Sequence, residues 1–196
     1  MDSKTLYIIS GCNGAGKTTA SYTILPDIWQ CYEFVNADEI AKGLSPLNPE
    51  SVAIEAGRLM LERIESLLKA NKTFSIESTL ATKSYRNLIK RAQEKGYKVT
   101  LLFFWLDSPQ TAIDRVAQRV SEGGHNIPSD IIKRRYHAGI KNLFTIYMKC
   151  VDYWVLANNT NGDSEYVAEG GRDIDTEIFD SETYNKVMYY VRERKN

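Results

Sequence analysis

Apolar and polar positions alternate along the chain in two regimes. Short, nearly continuous apolar runs occur at LYIIS (6–10), FVNAD (34–38), TFSIEST (73–79), KVTLLFFWL (98–106) and VDYWVLAN (151–158). Runs of this length, bounded by glycine or polar residues, predict strands covered on both faces. Between them, apolar residues recur at helical spacing. The clearest case is residues 48–71, where Val52, Ala56, Leu59, Met60, Ile64, Leu67 and Leu68 share one stripe. Asn48 is its candidate cap and Pro49 its first residue. Helices are also predicted from Lys17 to about Leu25-Pro26, at 39–43 with Asp38 as candidate cap, and at 83–96 ending on Gly96. Two more cover 108–124, with Ser108 as cap and Pro109 first, and 128–149. A hairpin around Gly170-Gly171 and a helix over 182–194 finish the pattern.

Strands alternating with helices predict an α/β domain with a parallel sheet and right-handed crossovers. Ligands of such sheets bind beyond the carboxyl ends of the strands. Three chemistry-bearing groups fall there: a glycine-rich loop after the first run, Asp38 after the second and Glu77 after the third.

The loop Gly11-Cys-Asn-Gly-Ala-Gly16-Lys17-Thr18 fits G-x-x-x-x-G-K-[ST], with an apolar strand before it and a helix after it. Glycines let backbone N–H groups curl inward around phosphate oxygens, and the helix N-terminus adds a favourable dipole. Lys17 offers charge to the terminal phosphates and Thr18 a hydroxyl to Mg²⁺. Gly11, Asn13, Gly14, Ala15, Gly16, Lys17, Thr18 and Thr19 are the expected nucleotide contacts. Cys12, inside the loop, reads as a small filler side chain.

Asp38 suits a base for an acceptor hydroxyl or a metal ligand. Glu77 ends a buried strand, where a carboxylate is costly unless paired. It suits acceptor binding, Mg²⁺ through water, or a salt bridge to a neighbouring helix. Arg115 and Arg119 lie four apart beside an apolar stripe, and Arg135 shares a sector with Ile131, Ile132 and Gly139 while Arg134 points outward. Arginine inside an apolar stripe calls for a buried anion. The segment EGGHNIP (122–128) between them reads as the connection of an arginine-bearing lid. His125 reads as a surface residue, and Asn158 and Asn159 as adenine contacts or a turn.

Composition narrows the function classes. The 196 residues are 43% hydrophobic and 26% charged, as in an ordinary globular domain. Lys plus Arg and Asp plus Glu number 25 each, so there is no global basic field for nucleic acid. Cys12, Cys31 and Cys150 form no CxxC pair, which argues against a disulfide framework and a zinc site and for a reducing cytosol. The first residues hold too short an apolar core for a signal peptide, and no run approaches the ~18 apolar residues of a membrane span. A cytoplasmic protein with no membrane partner is expected.

The ordered set GCNGAGKTT, FVNADEIA, SIESTLA, GYKVTLLFFWLDSP and RVAQRVSEGGHNIPSDIIKRRYHAGIKNL resembles the zeta-toxin family of P-loop kinases, and within it the compact members. The resemblance spans about residues 6 to 160. It implies a three-layer P-loop kinase fold with a five-stranded parallel sheet. The arginine-bearing lid is expected at about 108–140, and the C-terminal hairpin and helix at 160–196 lie beyond the resemblance. It implies ATP and Mg²⁺ as cofactors, and an acceptor such as a UDP-N-acetyl-sugar phosphorylated on a hydroxyl. A small antitoxin protein is the implied partner. Lys17, Asp38, Arg119 and one of Arg134 or Arg135, with Arg135 favoured by its sector, take the catalytic roles, Thr18 the metal, and Arg115 is expected among the nucleotide contacts. Asp38 and Glu77 fall to the acceptor, and Ser78 and Thr79, the polar residues next to Glu77, are expected beside them. Two other functions stay open: a nucleotide-dependent ATPase or switch without a small-molecule acceptor, and a toxin whose chief partner is its antitoxin.

Overall fold

The computed structural model describes residues 4–124 and 126–192; His125 lies outside them. The five apolar runs form β1 (Thr5–Gly11), β2 (Phe34–Val35), β3 (Phe74–Ser78), β4 (Lys98–Trp105) and β5 (Tyr153–Asn158). All five are parallel, in the order β2-β3-β1-β4-β5. Consecutive residues Ile8 and Ile9, Phe74 to Ile76 and Leu101 to Trp105 are all buried, so both faces of the sheet are covered. That is the cause of the continuous apolar runs.

The sheet has seven strands, not the expected five. The hairpin, β6 (Glu165–Gly171) and β7 (Ile174–Ile178), adds antiparallel to β5. It covers an apolar edge: Trp154, Val155 and Leu156 of β5 are buried, as are Val167 and Ala168 of β6. The turn falls at Arg172-Asp173 rather than at the glycines. The glycines serve close approach. A Cβ on Gly170 would sit 2.8 Å from the Trp154 ring, and one on Gly171 2.3 Å from the Asp152 carbonyl oxygen. All five residues of β7 are exposed, and Glu177 lies directly opposite Glu169.

The helices depart from expectation mainly at their starts. α1 (Lys17–Thr23) continues as a widened π turn, Ile24–Ile28, around Pro26. α2 (Ala37–Leu44) is capped by Asn36, whose side-chain oxygen accepts from the N–H of Asp38 at 2.8 Å and of Glu39 at 3.4 Å. Asp38 is therefore in the first turn rather than at the cap. Asn48 makes no side-chain cap, and its helix opens as a 3-10 turn, Pro49–Val52, before α3 (Ala53–Lys69). α4 (Tyr85–Glu94) follows β3. α5 (Pro109–Ser121) starts as expected, with Ser108 Oγ accepting from Thr111 N–H at 3.0 Å. α6 (Ser129–Thr145) and α7 (Ser181–Arg192) pack together.

α6 also grips the loop after β3. Asn142 donates to the Leu80 carbonyl at 2.8 Å, and the Tyr147 hydroxyl, just beyond α6, donates to the Thr82 carbonyl at 2.6 Å. A Cβ on Gly139 would lie 2.5 Å from the Thr79 carbonyl oxygen. Gly139→Ala must push helix and loop apart, and is expected to cost about 1–3 kcal/mol of stability, read in urea melts.

Candidate active site

β1 delivers the chain into the glycine loop with Gly11 at φ 141°, and Gly14 and Gly16 both at φ 78°. These are left-handed conformations that favour glycine. Space imposes the same choice. A Cβ on Gly11 would lie 2.3 Å from the Phe104 carbonyl oxygen, and one on Gly16 2.5 Å from Asn159 Nδ2. Asn159 is a brace for the loop: its Nδ2 donates to the Ala15 carbonyl at 2.9 Å and its Oδ1 accepts from Ser164 Oγ at 3.0 Å. Asn158 forms a turn, accepting from the N–H and hydroxyl of Thr160. The hydrogen bonds of both asparagines are thus internal to the fold.

Lys17 starts α1 and turns back over the loop. Its ammonium donates to the Cys12 carbonyl at 2.9 Å and stands 3.7 Å from a Glu77 oxygen. The other Glu77 oxygen accepts from Thr18 Oγ1 at 2.8 Å. The register Ile9↔Glu77 brings this about, since it sets the end of β3 beside the root of the loop. The side chains of Lys17 and Glu77 are only 8% and 9% exposed, so each charge depends on its partners. The salt bridge expected of Glu77 goes to the P-loop lysine itself.

One cavity of about 860 Å³ opens on the loop. Asn13, Gly14, Gly16, Lys17, Thr18 and Thr19 line its floor. Gly11 and Ala15 shape the loop from behind it. Asp38 and Glu77 line the β2–β3 side, and Arg115 and Arg119 the α5 side. Arg115 is fixed by a 2.8 Å bond from Nη2 to the Thr160 carbonyl. Arg119 is packed under the turn that ends α5, where the Gly124 N–H donates to its carbonyl at 2.8 Å. Arg135 Nη1 donates to Asn13 Oδ1 of the loop at 3.3 Å, whereas Arg134 is exposed, as their sectors on α6 dictate.

Ser78 and Thr79 do not line the cavity. Ser78 Oγ accepts from the Leu80 N–H at 3.0 Å, and the Thr79 carbonyl faces Gly139. In their place stands a wall that the sequence reading missed: Glu39, Lys42, Pro46, Leu47, Pro49 and Glu50. The prolines flanking a solitary leucine were the available signal. Leu47 is 100% exposed, in a turn that presents it to the cavity rather than to the core.

Cys12 is buried, and burial pushes its thiol up to about 11 against the opposing pull of Lys17. Its role as filler follows, because the reactive species is the thiolate. Iodoacetamide on the folded protein at neutral pH is expected to label half-exposed Cys150 and to spare buried Cys12 and Cys31 until denaturant is added. Peptide mass mapping reads the order.

Three comparisons bear on this geometry. An uncharacterized protein from Haemophilus influenzae is 33% identical over 136 residues, 69% of this chain and 94% of that protein. The AvrRxo1-ORF1:ORF2 complex solved with ATP is similar in fold, with a TM-score of 0.75 and 19% identity. The match covers 94% of this chain but only 63% of the other. A structure from the PezAT toxin–antitoxin system of Streptococcus pneumoniae has a TM-score of 0.66 at 18% identity, covering 86% of this chain and 72% of that one. The resemblance to zeta-toxin-like P-loop kinases therefore holds in the fold. The family model described as an AAA domain matches residues 6–141, from β1 into α6, and the chain belongs to that AAA-domain family of P-loop proteins.

Proposed function

We propose that the chain is an ATP-dependent kinase for a small molecule, moving the γ-phosphoryl group to an acceptor hydroxyl. The observation that carries this reading is the sharing of one cavity by P-loop Lys17, Asp38 and the α5 arginines. ATP seats its phosphates on the loop N–H groups and Lys17. The acceptor hydroxyl attacks the γ-phosphorus as its proton passes to the Asp38 carboxylate, and the bond to the β-phosphate oxygen breaks to release ADP. Arg119 and Arg135 offset the charge that develops. Glu77 positions Lys17 and Thr18 and reaches the acceptor.

Mg²⁺ fits the donor set. Thr18 Oγ1 and the Glu77 carboxylate are oxygen donors 2.8 Å apart, and Mg²⁺ takes few protein oxygens while keeping several waters. When bound it neutralises the phosphate oxygens.

The reading places the activity in one P-loop kinase-like domain in the cytoplasm. No helix among the described residues is long and apolar enough to cross a membrane. The zeta-toxin resemblance supplies a UDP-N-acetyl-sugar as first acceptor to try. The fold shared with a toxin–antitoxin system supports a small antitoxin protein as partner. The test is incubation with ATP·Mg²⁺ and hydroxyl-bearing metabolites, with products followed by mass. A phosphorylated metabolite matched by ADP supports the kinase. ADP alone, unaffected by any metabolite, moves the protein to the ATPase class.

A further inference from the structure

The glycine loop is a chain of peptide planes, and each plane must be held at the right angle. The Gly16 carbonyl accepts from the Ala20 N–H at 3.0 Å, so α1 itself fixes the peptide between Gly16 and Lys17. The Cys12 carbonyl accepts from the Ala15 N–H at 3.2 Å and from the Lys17 ammonium at 2.9 Å, so the loop fixes its own opening. The peptide between Ala15 and Gly16 is held from outside. Its carbonyl accepts at 2.9 Å from Nδ2 of Asn159, just past the end of β5. A carbonyl oxygen only accepts, so the amide nitrogen has to face it. Asn159 is buried and well anchored for this task. Its N–H donates to the Trp105 carbonyl at 2.9 Å, and its own carbonyl accepts from the Gly162 N–H at 3.3 Å. Its Oδ1 accepts from Ser164 Oγ at 3.0 Å.

The C=O and N–H of one trans peptide point in opposite directions. With the Ala15 carbonyl drawn back toward β5, the Gly16 N–H turns the other way. Ala15 is fully buried behind the loop and Gly16 lines the cavity, so that direction is toward the cavity floor. Glycine makes the hold necessary. At φ 78° Gly16 suits an inward N–H, but a residue without Cβ also lets the same plane turn over at little cost. Turned over, the plane aims a carbonyl oxygen at the phosphates. We propose that Asn159 is a positioning residue for the donor nucleotide. It acts through the Ala15 carbonyl, and sets the affinity for polyphosphate by keeping the Gly16 N–H aimed at it. This rests on the part of the proposed function that seats ATP on the loop, and it is independent of the acceptor.

The test is calorimetric titration of the full chain and of Asn159→Ala with ATP·Mg²⁺ and with inorganic tripolyphosphate. The variant is expected to weaken both ligands by a similar factor, about tenfold or more, because a buried carbonyl left without its donor favours turning over. Amide NMR gives the reading that a general loosening of the loop would not reproduce. In the parent, tripolyphosphate should move the Gly16 and Lys17 amide protons downfield, as hydrogen bonds to an anion do. In Asn159→Ala the Gly16 shift should shrink, while that of Lys17, whose peptide is fixed by α1, persists. Asn159→Asp keeps the volume and the bond from Ser164 but has no N–H for Ala15, and it serves in the NMR comparison if Asn159→Ala fails to fold. Unchanged affinity, a Gly16 shift equal to the parent's, or shifts lost alike at Gly16 and Lys17 overturns the positioning role and leaves ATP binding standing. A parent chain that binds neither ligand overturns that role together with the seating of ATP on the loop.

Discussion

Asp38→Ala is expected to abolish phosphoryl transfer while ATP still binds. Removing a positioned general base lowers turnover by about 10²–10⁴-fold. The geometry makes the variant clean. The cap of α2 is the Asn36 side chain, which holds the backbone N–H of residue 38 whatever side chain stands there. Asp38 itself is exposed at the cavity, so its truncation opens no core void. Folding and nucleotide affinity should therefore match the parent in thermal melts and calorimetric titration. Single-turnover assays should show the loss in the chemical step. Transfer at the parent rate would remove Asp38 from the mechanism.

Lys17→Ala should act earlier, on nucleotide binding. The ammonium lies inside the loop with 8% of its side chain exposed, so phosphates there would bond to it away from bulk water. Losing one or two charge-assisted bonds of about 1.5–3 kcal/mol each predicts a Kd for ATP weaker by roughly tenfold to beyond a thousandfold. The substitution also leaves buried Glu77 with Thr18 but without its cation. Some stability should be lost as well. The double variant Lys17→Ala/Glu77→Gln separates the two effects. It is expected to recover part of the melting temperature and none of the ATP affinity, as calorimetry on both variants would show.

The sequence was most readable where one chemical requirement dominates. The P-loop spacing and the buried strands are such cases, because few other residue patterns satisfy them. It was less readable where two residues could do one job. Asn36 and Asp38 are both good caps two positions apart, and only the strand end at Val35 decides for Asn36. Asn159 was legible as a polar residue after a strand, but its bond to Ala15 spans 144 positions and has no local trace. Glu77 was recognised as a carboxylate needing a partner, and the parallel register of β1 and β3 supplies that partner. Ser78 and Thr79 were assigned by adjacency to Glu77. A left-handed Leu80, at φ 53°, turns the chain away just beyond them. The Pro46–Glu50 wall was obscured because its apolar member faces the cavity, contrary to the rule that leucine marks the core.

The outermost strand, β7, has a bearing on how the molecule behaves in a crowd. Its free rim could template the addition of another strand, and Ile174 and Ile178 would favour it. Yet Asp175 and Glu177 sit on that rim, with Glu169 across from Glu177. Two copies meeting rim to rim would bring such carboxylates to a strand spacing of about 4.8 Å, at a cost of about 1 kcal/mol per pair in water. Like charge thus makes the surface self-avoiding, and protects solubility with repulsion that added salt would progressively screen.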